Sequence, residues 1–553
     1  MRRETRLWML LALGVCLSLL LLVWTAPGWG MPDQNVMRQT VPELTPRAYS
    51  PIVAENASNI QTTDQAPNCR YGVAAWGSGQ LNWLPALGVG WYLDFGAHVP
   101  NGPDGIEFVQ VIRIKQNKSD CTYLPRYSVN PPLTESGLGN LVRAVPGALW
   151  LIGNEPDRGP NPGSCTAGAQ DDTYPEVYAE AYHDVYHFIK QRDPTAQVGV
   201  AGLVQVTPGR IQYLDKVWQA YLQKFGTTMP VDVWNMHLYI LPEVEWNGQP
   251  NGIANVALGT DPALGMRNSN HGSPDNWRNC LDPRDNIYCY AEHDNLTIFA
   301  DQILRMRAWM KARGQQNKPL ILSEYSLLFS FEDYDDPYRP TKCWVQDEFG
   351  KCFTAARVTE FMTRTFNYLE TATDPNLGYP LDNNRLVQQW LWFSMYYPGA
   401  GKVSSLVVSD STSLTPVGWV FSNTVNHLAT YVNLFPADVA HPVAFTPTPS
   451  DTVSVTLSVR VYNNGNTHTT NPFTVTFYAD SALTEVIGTS VFTGSLGGCA
   501  RRQVTATATW EGLAEGTHHY WVKVEGDSHT ADNVTKGVVL INPKQVFLPV
   551  VLR

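Results

Sequence analysis

Beyond the opening MRRETR, the sequence has no run of lysine or arginine, and only 16% of its 553 residues are charged, for a net charge of -11. A chain with so little positive charge, so thinly spread, argues against nucleic acid as a partner. It also lacks any CxxC pair or Cys–His cluster at ligand spacing, so nothing supports a structural zinc site. Long apolar runs are scarce as well: the one that stands out is Trp8–Trp24. With MRRETR before it, this run reads as the n- and h-regions of an export signal. It is slightly long for a cleaved signal, and TAPGWG is a mediocre cleavage site. Residues 1–30 are therefore either a signal peptide or a retained membrane anchor. Either way the protein is expected to be secreted or at the cell surface.

Cysteine fits that setting. Setting aside Cys16, which lies inside the apolar run, eight of the nine cysteines remain. An even number in an exported chain implies disulfides. The short pairs Cys280/Cys289 and Cys343/Cys352 are expected to bridge. The connectivity of Cys69, Cys121, Cys165 and Cys499 is not legible from spacing. Aromatics are plentiful, with 18 Trp and 25 Tyr. Many aromatics with little charge suit a neutral, ring-shaped ligand.

Residues 31–66 are rich in Pro, Thr, Asn and Gln without periodicity, and read as a disordered linker. Eight apolar runs follow: Tyr71–Trp76, Val89–Phe95, Phe108–Ile114, Ala148–Gly153, Val198–Leu203, Val231–Tyr239, Leu320–Leu328 and Leu386–Met395. Continuous rather than alternating runs indicate strands buried on both faces. Helical spacing fills several gaps. Tyr178, Tyr182, Val185 and Ile189 precede the stop at Asp193-Pro194, and Phe299, Ile303, Met306 and Met310 precede Gly314. Pro416–Leu434 is expected to supply a closing helix. The pattern predicts an α/β fold, a (β/α)8 TIM barrel over 67–436. A Pro/Thr-rich stretch, 437–450, reads as a linker. Period-two strands over 451–543 predict a small all-β sandwich, and 544–553 a tail.

The chemistry is expected at the C-terminal ends of the strands. Strand four ends in Asn154-Glu155. Strand six ends in His237-Leu238-Tyr239, and the period of two puts His237 and Tyr239 on one face. Strand seven carries Glu324, and strand eight carries Trp390 and Trp392 on a shared face. Two carboxylates ringed by a histidine, a tyrosine and tryptophans are what glycosidic cleavage needs. One acid must be protonated and the other ionised, so their surroundings must differ. Tyr239 is placed to hold Glu324 ionised, Asn154 to bind a sugar hydroxyl, and the tryptophans to stack on sugar rings.

These residues resemble the clan A glycoside hydrolases, the retaining (β/α)8 enzymes that include family 5 cellulases. The resemblance implies Glu155 as acid/base, from the Asn-Glu on strand four, and Glu324 as nucleophile, from Ser323-Glu324 on strand seven. His237-Leu238-Tyr239 and Trp390 or Trp392 match further shared positions. Arg113, on strand three, is the candidate for an arginine that many family 5 members carry. The C-terminal region resembles bacterial adhesion-type immunoglobulin-like modules through VRVYNNGNTHTTNPFTVTFYAD. The implied function is an exported retaining β-glycosidase acting on a polysaccharide or oligosaccharide, a monomer needing no metal or organic cofactor. A carbohydrate-binding or adhesion protein on an inactive barrel is the alternative. His183 and His187, in HDVYH, mimic a zinc helix, but Asp184 replaces the general-base Glu and no third ligand is evident.

Overall fold

In a computed structural model of the chain, the described residues are 66–245, 247–268, 286–328, 353–399, 401–448 and 450–543. The expectations for residues 1–30, for nearly all of 31–66, for the tail 544–553, and for the Cys280–Cys289 and Cys343–Cys352 bridges lie outside them. The protein is a mixed α/β chain whose C-terminal part is sheet-rich.

Among the described residues, eight main strands run parallel through the first part: β1 (Asn68–Ala74), β2 (Val89–Leu93), β3 (Gln110–Ser119), β4 (Leu149–Ile152), β5 (Gln197–Val200), β6 (Trp234–His237), β7 (Leu320–Tyr325) and β8 (Gln389–Trp392). One sheet has the order β2-β1-β8-β7-β6, with the short strand Glu107–Phe108 outside β2. The other has the order β3-β4-β5, with Thr122–Asn130 folded back antiparallel on β3. Backbone bonds cross both gaps between the sheets. Val109 N–H donates to Tyr92 O at 2.9 Å and Val111 N–H to Gly96 O at 2.8 Å, while Gly199 bridges Val233 in parallel sense.

Among the described residues, five long helices accompany these strands: α1 (Pro175–Arg192), α2 (Pro208–Phe225), α3 (Leu296–Ala312), α4 (Ala355–Thr371) and α5 (Pro416–Asn426). Their starts follow local chemistry. Proline opens α1, α2 and α5, and the Asn295, Thr354 and Thr415 side chains cap α3, α4 and α5. The stripe Tyr178, Tyr182, Val185, Ile189 is buried in α1. The closing helix stops at Asn426, with His427 at its C-cap, rather than continuing to Leu434, which begins the strand Leu434–Ala437.

Two apolar layers separate the faces of the strands. Ala74, Trp91, Leu93, Val111, Leu149, Leu151, Val233, Ile321, Leu391 and Phe393 pack on one face. The opposite face packs against the helices. Glycine permits the close fit at β5, where a Cβ on Gly199 would stand 2.9 Å from Leu151 Cδ2.

The C-terminal part holds β9 (Leu434–Ala437), β10 (Val443–Ala444), β11 (Val453–Asn463), β12 (Phe473–Tyr478), β13 (Val486–Phe492), β14 (Gln503–Leu513), β15 (Gly516–Glu525) and β16 (Val534–Ile541). They form two sheets, β9-β11-β14 and β10-β16-β15-β12-β13, around one core of Leu457, Val459, Phe477, Val522 and their neighbours. Within the stretch 437–450, expected as a linker, Ala437 ends β9, which pairs with β11, and Val443–Ala444 form β10, which pairs with β16.

This part is fastened to the N-terminal ends of the parallel strands. Cys69, in β1, is disulfide-bonded to Cys499. Arg501 pairs with Glu107 and exchanges hydrogen bonds with Gln197 at the start of β5, and Arg502 Nη2 reaches Glu107 Oε1 at 2.7 Å. Cys69 N–H donates to Asn466 O at 2.7 Å. The second disulfide, Cys121–Cys165, ties the turn after β3 to the loop after β4.

Candidate active site

The opposite, C-terminal ends of the strands gather the expected acids. Beyond β4 the chain turns sharply: Gly153 has φ 100° and Glu155 φ 47°, a left-handed backbone unusual for a residue with a side chain. Asp171, wholly buried, holds this turn. Its Oδ2 accepts from Asn154 N–H at 2.7 Å and Ile114 N–H at 3.0 Å, while Oδ1 accepts from Arg113 Nε at 2.7 Å. Glu155 N–H donates to Gly202 O at 3.0 Å.

Glu324 arrives by a bulge. Between Leu322 and Glu324, β7 carries one residue more than β6, where Met236 and His237 are consecutive partners. The same extra residue appears against β8. Strict alternation from the inward-facing Ile321 would have aimed Ser323 inward; the inserted residue turns Glu324 there instead.

His237 stands between the two acids. Its Nδ1 is hydrogen-bonded to Glu155 Oε1 at 3.1 Å and lies 3.6 Å from Glu324 Oε2. Tyr239 OH donates to Glu324 Oε1 at 2.7 Å. Atoms of Glu155, His237 and Glu324 all lie within 4.8 Å of one another, a spacing at which a cation could also be held. All three side chains are buried. Gly202 makes room for the imidazole, since a Cβ there would fall 2.2 Å from His237 Cδ2.

The electrostatics divide the acids. Burial, reinforced by the charge of Glu155, pushes Glu324 up to about 7 against the pull of His237, Tyr239 and Arg113. Burial also works against ionised Glu155, but the hydrogen bond and charge of His237, with Arg158 and Arg210, outweigh it and hold Glu155 below the ordinary value. Burial would lower His237, yet the two carboxylates raise it. Burial and Glu324 keep Tyr239 a donor far into the alkaline range. Below about pH 7 Glu324 therefore holds a proton, while His237 is biased towards its charged form and Glu155 towards its ionised one.

The structure thus brings Glu155, His237, Tyr239 and Glu324 together, with Asn154 beside Glu155 in the same turn and Arg113 tied in through Asp171. It does not bring in Trp390 or Trp392. They share a face as expected, but it is the helix-facing one: Trp390 packs edge-on to Tyr71 at 4.9 Å and Trp392 to Tyr325 at 5.4 Å. Trp392 Nε1–H donates to Ser404 O at 2.7 Å. The reason is phase, because Leu391 and Phe393 occupy the inward positions. Phe393 is the aromatic that β8 supplies, grouped with Trp76, Phe95 and Tyr397 at ring distances of 5.3–6.0 Å. Alternation pairs it with Leu391, but the sequence carried no signal that this pair faces inward. Asp171 and Gly202 gave none. His183 is committed to packing, stacked 3.6 Å from Phe225 and bonded to Tyr221 OH at 2.8 Å. A cavity of about 730 Å³ between the starts of α3 and α4, lined by Asn295, Arg357, Glu360 and Arg364, borders none of these acids.

No family model matches the sequence, and no curated protein matches it. Among solved structures, a GH128 (subgroup III) curdlan-specific exo-β-1,3-glucanase from Blastomyces gilchristii is 13% identical, with 64% of this chain and 97% of that one covered at a TM-score of 0.35. A glucosidase from Croceicoccus marinus is 13% identical, with 82% and 96% covered at 0.36. A CARDB domain from Pyrococcus furiosus is 17% identical, with 21% and 96% covered at 0.17. Likenesses of this size carry no argument about this chain, and the geometry stands by itself.

Proposed function

We propose that the protein is an exported retaining β-glycosidase of the clan A kind, acting on a polysaccharide or oligosaccharide. Its eight parallel strands close into a (β/α)8 barrel, and its C-terminal sheets form an immunoglobulin-like sandwich. The observation that carries the reading is the spacing of the acids, whose oxygens approach within 4.8 Å with His237 between them. A nearest-oxygen approach this short lies on the side of the about 5–5.5 Å between whole carboxyls in retaining enzymes rather than the about 6.5–9.5 Å that admits a water in inverting ones. The two disulfides support export.

The resting order, with Glu324 raised and Glu155 lowered, is the reverse of an ionised nucleophile facing a protonated acid, and the pull of Tyr239 does not offset burial, so the reacting state is reached above about pH 7. Above about pH 7 Glu324 is ionised, steadied by Tyr239 OH. Glu324 then attacks the anomeric carbon as the bond to the leaving oxygen breaks. The proton for that oxygen comes through Glu155, which draws on the imidazolium across the 3.1 Å hydrogen bond. In the second half Glu155 takes a proton from water, and the resulting hydroxide releases the sugar from Glu324. Asn154 and Arg113 bind hydroxyls beside the reacting carbon, and Phe393 with Trp76 takes the stacking role expected of Trp390 or Trp392. Reducing-sugar release from β-glucan, xylan, mannan and galactan tests the reading: cleavage of one supports it, and inertness towards all four, with binding retained, would favour a carbohydrate-binding protein.

A further inference from the structure

Behind Glu155 lies a charged group for which the reaction above finds no use. Arg210, in the first turn of α2, is fully buried, as is Asp157, and Glu243 is 1% exposed. Arg210 Nη1 pairs with Asp157 Oδ2, and Nε donates to Glu243 Oε1 at 2.9 Å. Nη2 donates to the carbonyls of Ala254 and Asn255 at 2.8 and 2.9 Å. Glu243 Oε1 also accepts from Gln205 Nε2 at 3.0 Å and Thr207 Oγ1 at 2.7 Å, and Oε2 accepts from Met266 N–H at 2.9 Å. Thr207 sits at the N-cap of α2, yet its hydroxyl serves Glu243 and caps nothing.

Stability does not explain such a group. Three charges taken out of water lose hydration that their mutual attraction barely returns, and apolar replacements in comparable groups are often no less stable. Its location is more telling. Asp157 is two residues beyond Glu155, in the turn whose left-handed backbone persists only if its surroundings hold it. The carbonyl of Asp157 accepts from Leu258 N–H at 2.9 Å, and Arg158 donates to Gly252 O and Ile253 O. The chain after β4 is therefore bound to the chain after β5 and β6 through Arg210 and its neighbours, directly behind the acid.

We propose that Asp157, Arg210 and Glu243 are positioning residues for Glu155: they fix the turn that presents it and its electrostatic setting without touching the sugar. The inference rests on the glycosidase reading and assigns its effect to proton transfer alone. The test uses two near-isosteric variants, Asp157→Asn and Glu243→Gln, in the full chain. Each is compared on two glycosides of the sugar the enzyme cleaves, one with an alkyl leaving group and one with 2,4-dinitrophenolate, which departs without a proton. The expected result is a 10- to 100-fold fall in kcat on the alkyl glycoside, an unchanged KM, and a dinitrophenolate burst within threefold of the unmutated rate. Azide should restore steady-state turnover of the activated substrate. Thr207→Val, which removes one hydrogen bond and keeps the shape, should show the same split at smaller size if the other two fail to fold. Equal losses on both leaving groups in a folded variant would overturn the positioning role and leave the glycosidase reading intact. An unmutated protein inert to every glycoside would overturn both.

Discussion

Gly202→Ala is the smallest change that should separate the acids from the histidine between them. Gly202 lies two residues past the end of β5 and does not have the left-handed backbone that favours glycine. The consequence of alanine is thus steric. Its Cβ would stand 2.2 Å from His237 Cδ2 and 2.4 Å from Nε2, where ordinary contacts begin at 3.4 Å. The imidazole is 1% exposed and packed, so it must retreat by more than an ångström, carrying Nδ1 out of reach of Glu155. Overpacking of this kind costs about 1–3 kcal/mol. A lost hydrogen bond to a charged group adds about 1.5–3 kcal/mol, partly overlapping with it. Misplacement by about 1 Å near the reacting atoms lowers turnover about 100-fold. The assay is kcat/KM across pH on a cleaved glycoside, with a thermal melt of the same preparation. We expect a lower Tm, a loss near that size, and an alkaline limb moved to lower pH, because His237 is raised by the carboxylates it would leave. An unaltered profile in Gly202→Ala would refute the claim that His237 feeds Glu155.

The acid limb of the unmutated enzyme should fall near pH 7, since activity needs Glu324 ionised and burial raises it to about 7. Tyr239→Phe removes a bond that favours the charged form and should move that limb higher; a limb that stays in place would show that Tyr239 does not bear on Glu324. Phe393→Ala should raise KM about tenfold through lost stacking, whereas Trp390→Phe should leave KM unchanged and lower only Tm. Equal effects on KM would contradict the inward placement of Phe393. A chain ending at Ala444 should fail to fold, because it loses the partners of Cys69, Glu107 and Gln197 at the strand starts. A soluble, cooperatively melting truncation would show that the sheets are dispensable.

The acids were legible because each stands in a distinctive dipeptide at the end of an apolar run, Asn154-Glu155 and Ser323-Glu324. The period of two also placed His237 beside Tyr239. The same rule failed for Trp390 and Trp392: in a strand buried on both faces, alternation gives the pairing of residues but not which pair faces in. The bulge at Ser323 would have misled it again, had Glu324 been assigned by alternation alone. Within 437–450 the two-residue strand β10, Val443–Ala444, is too short to show a period and so was not legible. Cys69–Cys499 spans 430 residues, and Asp157, Arg210 and Glu243 meet only in three dimensions. No local pattern marks such contacts.

The central claim is that Glu324 forms a covalent bond to the sugar while Glu155 only moves protons. It is tested most directly with 2,4-dinitrophenyl 2-deoxy-2-fluoro-β-glycosides of glucose, galactose, mannose and xylose, whose intermediates hydrolyse slowly. After incubation and digestion, mass spectrometry locates the added sugar. One of the four is expected to release one equivalent of dinitrophenolate and leave its sugar on Glu324. A sugar on Glu155, or ready cleavage of the parent glycoside to a product of inverted configuration, would contradict it.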